Sequence, residues 1–217
     1  LINLSASPFS VSKFHSRYEV CSKAAMAIKA PMFLCNQVGG NDSLIFDGRS
    51  LFVNEKGELV GYAKGFEEDL FVVDLSKEHP SVRYHVDPME ELHDALVLGL
   101  RDYFHKLGFS KACVGLSGGI DSAVVVYLAV EALSKEHVQG LLMPSRYSSP
   151  GSVEDAEALA NALGIESHTI PIEQAFESYL DILKPFLEPS KPGVTEENLQ
   201  ARVRGMILMA LSNKTGC

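Results

Sequence analysis

Tryptophan is absent from the 217 residues. No stretch stays apolar for the ~18 positions a membrane-spanning helix needs, so a membrane partner is not expected. The four cysteines, Cys21, Cys35, Cys113 and Cys217, stand without CxxC spacing, which argues against a zinc site and gives no disulfide framework. The seven histidines are scattered, also without ligand spacing. No basic block exists: Lys and Arg number 19 against 28 Asp and Glu, a formal net charge of −9. Binding to nucleic acid favours a dense cationic stripe, so a DNA or RNA partner is not expected. There is no repeat, no low-complexity segment and no signal peptide, and a reducing cytoplasm is the default compartment. What remains is 46% hydrophobic and 22% charged, enough for one large or two small domains with a buried core. Leu1 lies inside what reads as a strand and Cys217 just past a strong helix, so a piece of a longer protein is expected.

Two halves follow different grammar. From Leu1 to about Leu75 the pattern reads strand, helix, then several strands. The helix spans about Ser16 to Lys29, with Tyr18, Cys21, Ala24, Ala25 and Ile28 at helical spacing and Pro31 ending it. MFLCNQV, SLIF, SLFVN, ELVGYA and DLFVVDL follow as short apolar runs, with turn signals at Asp47-Gly48 and from Asn54 to Gly57. Residues 76–90 are polar and without period, and read as a linker. Asp87 then caps a helix whose stripe is Leu92, Leu96, Leu100, Tyr103, Phe104 and Leu107, ended by Gly108. Residues 91–217 form the second domain, where strands and helices alternate. ACVGL, HVQGLLMP and ESHTIPI are strands; Asp121 to Ser134, Ser152 to Leu163 and Glu173 to Leu183 are helices. Nearly all-apolar strands in this order predict an α/β fold with a parallel sheet covered on both faces. A proline-rich loop from Glu188 to Gly193 precedes a last helix from Thr195, with Leu199, Val203, Met206, Ile207, Ala210 and Leu211 on one face.

The sharpest feature joins the first of these strands to its helix: Gly115, Leu116, Ser117, Gly118, Gly119, Ile120, Asp121 and Ser122. Glycines let the backbone turn tightly and approach a ligand, while helix-start amides and the helix dipole favour an anion. Ser117 and Ser122 add hydroxyls. Asp121 would repel a bare phosphate, but a carboxylate there makes sense if it holds Mg2+ bridging to phosphate oxygens. A bare strand-to-helix turn is the alternative reading. The string lacks both the GK[ST] ending of a Walker loop and the third glycine of a dinucleotide fingerprint.

SGGIDS resembles the pyrophosphate-binding loop of the ATP pyrophosphatase superfamily. LMPSRYSS (Leu142–Ser149), SVEDAEALANALGI (Ser152–Ile165) and ENLQARVRGMILMALSNK (Glu197–Lys214) narrow the likeness to NAD+ synthetases. In the first half, NLSASPF (Asn3–Phe9), NQVGGND (Asn36–Asp42) and LIFDGRS (Leu44–Ser50) resemble the C-terminal part of the nitrilase-like glutaminase domain of the glutamine-dependent enzymes. The resemblance implies a partial nitrilase-like α-β-β-α sandwich over 1–75, then a partial doubly wound parallel sheet of the ATP pyrophosphatase type. It implies ATP-dependent amidation of deamido-NAD through an adenylate, with ammonia from glutamine, by a homo-oligomer. Residues 115–122 would bind ATP, Asp121 magnesium, and Asn198 and Arg202 deamido-NAD. Ser7 would bind glutamine. The glutaminase Glu, Lys and Cys would lie upstream of Leu1, so none of that catalytic set is present and the chain alone is expected to be inactive. Pro150-Gly151 departs from the family, which has a polar residue or His there. Alternatives are another superfamily amidotransferase, such as a GMP synthetase, or a non-catalytic nucleotide-binding piece.

Other residues carry plainer readings. Cys35 has apolar neighbours and no nearby Lys or His, and is expected to be buried and structural; Cys21 and Cys113 are expected in the core. Ser5 and Ser7 could equally serve ordinary turns. Asn36 and Gln37 are expected to satisfy buried backbone. Asn198 and Arg202, four apart, share a helix face and could simply be solvated.

Overall fold

A computed structural model describes residues 1–186 and 193–217. The chain divides into two compact units, Leu1–Lys106 and Leu107–Cys217. The expected proline-rich loop lies outside the described residues except for Gly193.

The first unit is built on a four-stranded mixed sheet. Strand β1 (Ile2–Ser5) pairs in parallel with β2 (Met32–Asn36), and the helix α1 (Lys13–Ile28) connects them. Strands β3 (Val38–Asn41) and β4 (Leu44–Asp47) form a separate antiparallel hairpin. Strands β5 (Leu51–Val53) and β6 (Leu59–Tyr62) then extend the main sheet in the order β1-β2-β5-β6. The turn between β5 and β6 falls at Asn54–Gly57 as expected, with Gly57 at φ 79° and its N–H on the Asn54 carbonyl at 2.9 Å. Helix α1 starts three residues before the predicted position and ends at Lys29, whose left-handed backbone returns N–H to the carbonyls of Ala25 and Met26. Alternation along β2 turns Met32 and Leu34 inward, where they join Phe14, Cys21, Ala25, Leu51, Val53 and Leu59 in one core.

That alternation corrects the reading of Cys35. It is exposed, because it stands on the opposite side of β2 from Leu34. A second correction concerns DLFVVDL, which forms no strand. Leu70, Val72 and Leu75 are exposed, at 87%, 78% and 64%; the run is apolar but has no strand partner. Within the polar stretch before the next helix, Tyr84 inserts into the first unit and stacks on Phe14, ring centroids 3.7 Å apart. Tyr84, together with the Val82 N–H on the Leu59 carbonyl at 2.7 Å, thus anchors a segment whose composition reads as linker.

Helix α2 (Pro88–Leu107) begins where Asp87 accepts the Met89 N–H at 2.7 Å. Its buried residues are Glu91, Ala95 and Leu98, whereas Leu96, Tyr103 and Leu107 of the expected stripe are exposed. The helix docks on the first unit through small residues. A Cβ on Gly40 would lie 3.3 Å from the Gly99 Cα, and the Gly40 N–H donates to Asp102 at 2.7 Å. Close approach of two backbones, not the leucine stripe, therefore sets which side of α2 faces the core.

The second unit holds three parallel strands in the order β7 (Ala112–Leu116), β8 (Val138–Leu142) and β9 (Glu166–Thr169). Helices α3 (Ile120–Leu133) and α4 (Pro150–Leu163) make the crossovers, followed by α5 (Glu173–Leu183) and α6 (Val194–Thr215). Leu141 and Met143 pack with Ile172 of the α5 approach and Val203 of α6. Strand alternation directs Gly140 and Leu142 to the opposite face, where α3 and α4 pack on β8. Helices on both faces explain the near-continuous apolar runs of β7 and β8, and the α/β class with a parallel sheet in the second unit is as expected. The face of α6 differs in part from expectation. Gln200 and Val203 are its buried residues, while Met206 is 59% exposed and Ala210 is exposed.

Candidate functional site

Strand β7 delivers the glycine loop to the C-terminal edge of the parallel sheet, the edge at which open α/β sheets bind ligands. Gly118 has φ 75°, and a Cβ there would fall 2.2 Å from the Ser152 carbonyl oxygen. No side chain fits, so the loop backbone runs directly against the start of α4. Gly119 occupies the N-cap of α3, and no side chain caps that helix. Its first-turn amides therefore keep their capacity for an external anion, with the positive end of the dipole behind them.

The two loop serines are braced together. Ser122 Oγ accepts from the Ser117 N–H at 3.2 Å and lies 2.9 Å from the Gly119 carbonyl, to which it donates. Ser117 Oγ accepts from the Gly119 N–H at 3.2 Å and meets Ser122 Oγ at 3.0 Å. These contacts hold the loop's shape, a positioning duty that the motif alone does not reveal. Asp121 is exposed in the first turn of α3. Among the described residues no three His, Cys, Asp or Glu side chains cluster as a metal site. One carboxylate nevertheless fits magnesium of the kind that takes most of its ligands from phosphate oxygens and water.

A cavity of about 350 Å³ opens beside the loop, bounded by Leu116 at the end of β7 and Ser117 after it, and by Leu142 at the end of β8 and Met143 after it. Ser149, Ser152 and Arg204 also reach it. Pro150 takes the first position of α4 behind Ser149, which accepts the Ser152 N–H at 3.1 Å. The proline that departs from the family pattern is thus a helix-start residue with a fixed φ suited to that place. The loop before it is pinned by Arg146, which pairs with Glu173 and Glu177 of α5; Glu173, held by that guanidinium, is shifted below the ordinary carboxylate range. Ser149, Ser152 and Arg204 were not singled out by sequence reasoning. The serines fall in quoted family strings, and the second arginine of ARVR was the available signal for Arg204.

Asn198 and Arg202 lie together on the exposed side of α6, where with Ala201, Gly205, Met206 and Met209 they border an open groove of about 540 Å³. Met206 thus shares the side of Asn198 and Arg202, where the sequence pattern set it opposite.

Ser7 sits in the first unit, within a buried polar knot. Arg17 forms a bidentate pair with Asp47 at 2.6 and 2.7 Å. Its Nε also donates to Ser7 Oγ at 3.2 Å. Asn36 accepts the Ser7 N–H at 2.9 Å and donates to the Gly48 carbonyl at 2.9 Å, the backbone-satisfying role expected of it. Cys35 borders a shallow cavity of the same unit with Lys64 and Asp69.

The family model described as NAD synthase matches residues 92–217. A glutamine-dependent NAD(+) synthetase of Synechocystis sp. is 50% identical over all of this chain and 40% of its own length. That of Thermotoga maritima is 44% identical, over 100% of this chain and 44% of its own length. The solved structure of a glutamine-dependent NAD+ synthetase from Acinetobacter baumannii, in complex with adenosine diphosphate, matches with a TM-score of 0.91 and 39% identity. The match covers 98% of this chain and 42% of that one. The chain therefore spans about two fifths of the length of the curated relatives it matches. The matched region contains the glycine loop, its cavity and the α6 groove, and the likeness in sequence and fold agrees along it: the chain belongs to the NAD synthase family.

Proposed function

We propose that this chain carries the ATP-binding part of a glutamine-dependent NAD+ synthetase, which amidates deamido-NAD at the expense of ATP. The observation that carries the reading is the glycine loop: an uncapped helix start and a side-chain-free turn at Gly118, opening on a cavity at the sheet's C-terminal edge. A carboxylate is a poor electrophile. Attack of the nicotinate carboxylate on the α phosphorus of ATP expels pyrophosphate and gives an acyl-adenylate; ammonia then displaces AMP to form the amide. Residues 115–122 bind the phosphates, and their amides stabilise charge that builds on the departing pyrophosphate. Magnesium held by Asp121 would neutralise phosphate oxygens.

Asn198 and Arg202 bind deamido-NAD. A guanidinium suits its phosphates and an amide its polar edges, and both stand free in the α6 groove. Met206 and Met209 beside them suit pairing with a second copy, in keeping with a homo-oligomer. Ser7 binds glutamine through the hydroxyl proton left free while its oxygen accepts from Arg17. Ammonia would then come from glutamine in the whole protein. No helix among the described residues is long and apolar enough to cross a membrane, and a cytoplasmic setting fits the proposed substrates. The test is exchange of labelled pyrophosphate into ATP by the protein carrying this chain. Exchange that requires deamido-NAD and magnesium is expected; exchange indifferent to deamido-NAD refutes the reading.

A further inference from the structure

Arg204 differs from every other arginine of the chain. Arg17 pairs with Asp47, Arg49 approaches Glu91, and Arg146 pairs with Glu173 and Glu177. Arg83, Arg101 and Arg202 are exposed to solvent. Arg204 is half-buried on the inner side of α6, and among the described residues it has no carboxylate partner. Desolvation alone acts on its charge and lowers its pKa, with no acid to offset it. A cation removed from water is destabilising unless the site supplies an opposite charge. Among the described residues no acidic side chain pairs with it to do so.

The side chain is nonetheless firmly aimed. Its Nε donates to the Met143 carbonyl at 3.0 Å, and one terminal nitrogen lies 3.5 Å from Gln200 Oε1. Gln200 is itself fixed, since its Oε1 accepts from Ser145 Oγ at 2.7 Å. Met143 directly follows β8, so the parallel sheet sets the position of that carbonyl. A guanidinium has five N–H donors, and these two contacts leave the greater part of the fork unused. Arg204 lines the same cavity as Ser117, Ser149 and Ser152.

We infer that Arg204 binds the phosphate chain of the nucleotide, supplying from α6 a charge that the glycine loop, with its amides and hydroxyls, does not carry. The inference rests on the ATP reading above and adds a binding residue to that site. A planar fork held at one edge by a carbonyl offers its remaining donors in parallel, the geometry that matches two oxygens of a phosphoryl group.

Calorimetric titration of the chain with ATP, inorganic pyrophosphate and adenosine tests it, in wild type, Arg204→Gln and Arg204→Lys. Glutamine keeps a donor for the Met143 carbonyl and loses the charge; lysine keeps the charge and loses the fork. Affinity for ATP and for pyrophosphate should fall about tenfold to a hundredfold in Arg204→Gln, the scale of a charge-assisted hydrogen bond. The loss should be smaller in Arg204→Lys, and adenosine affinity should stay unchanged in both. Equal weakening of adenosine and ATP would show that Arg204 merely holds Met143, and unchanged ATP affinity would show that it is idle; either overturns the inference alone. A wild-type chain that binds neither ATP nor pyrophosphate overturns the ATP reading with it. Should Arg204→Gln not fold, Arg204→Lys decides by the same comparison of phosphate-bearing ligands with adenosine.

Discussion

At Gly118 the backbone φ of 75° and the Ser152 carbonyl act together. A left-handed conformation costs a residue with a Cβ about 1–3 kcal/mol, before any clash with the carbonyl is added. Gly118→Ala should therefore lower the urea midpoint of the chain and weaken ATP binding in calorimetric titration; an unchanged midpoint would mean the loop yields freely. Asp121 separates stability from chemistry. It is exposed, and its charge near the positive end of α3 contributes about 0.3–1 kcal/mol at most. Asp121→Asn should hardly move the melting temperature, yet reduce adenylation in the protein carrying this chain by ~10²-fold, the scale of losing a charge-stabilising group. Pyrophosphate release near the wild-type rate would remove Asp121 from the metal site. The glycine string announces its chemistry at this scale because its constraint is local: tight turn, helix start and first-turn carboxylate all fall within eight residues. Arg204 is not announced. Only the fold brings it from α6 to the cavity that Ser117 lines.

Helix α6 lines a different cavity on each of two sides. Val203 packs toward the sheet, Gln200 bonds Ser145 and Arg204, and Arg204 lines the cavity beside the glycine loop, while Asn198, Arg202, Met206 and Met209 border the open groove. Arg202→Ala should raise the Michaelis constant for deamido-NAD about tenfold to a hundredfold, as loss of one charge-assisted contact does, and leave that for ATP nearly unchanged. Steady-state kinetics with each substrate varied in turn checks this, and an equal rise for both would return Arg202 to the solvated surface. The periodicity of α2 and α6 gives their existence and nearly their limits. It does not give their buried side, because both have apolar residues around more than one face. For α2 the choice falls to Gly99 against Gly40, and for α6 to packing on Leu141 and Met143.

Across the molecule, three weak acids in the two units share one direction. Burial raises the thiols of Cys21 and Cys113 above 9.0. Burial, reinforced by the hydrogen bond to Glu91, raises the Tyr84 phenol above 10.0. The folded chain holds these protons more tightly than the unfolded chain, so their contribution to stability is complete below pH 9. It is lost as pH rises through the unfolded values toward the folded ones. Urea unfolding followed from pH 8 to 11 should show a falling midpoint, and Tyr84→Phe should flatten the part above pH 10. A midpoint that holds steady to pH 11 would contradict the burial of all three.

The sequence by itself determined the strand-loop-helix with its uncapped helix start, the alternation of strands and helices, the turn at Gly57 and the cap at Asp87. Each depends on interactions between residues a few positions apart, and so is written in consecutive residues. Tertiary structure alone decided that Cys35 faces solvent, that DLFVVDL finds no strand partner, that Tyr84 anchors a polar stretch on Phe14, and that Arg204 reaches the cavity beside the glycine loop. Those outcomes depend on which distant surface arrives opposite a side chain, and burial, pairing and charge neutralisation are properties of both surfaces at once.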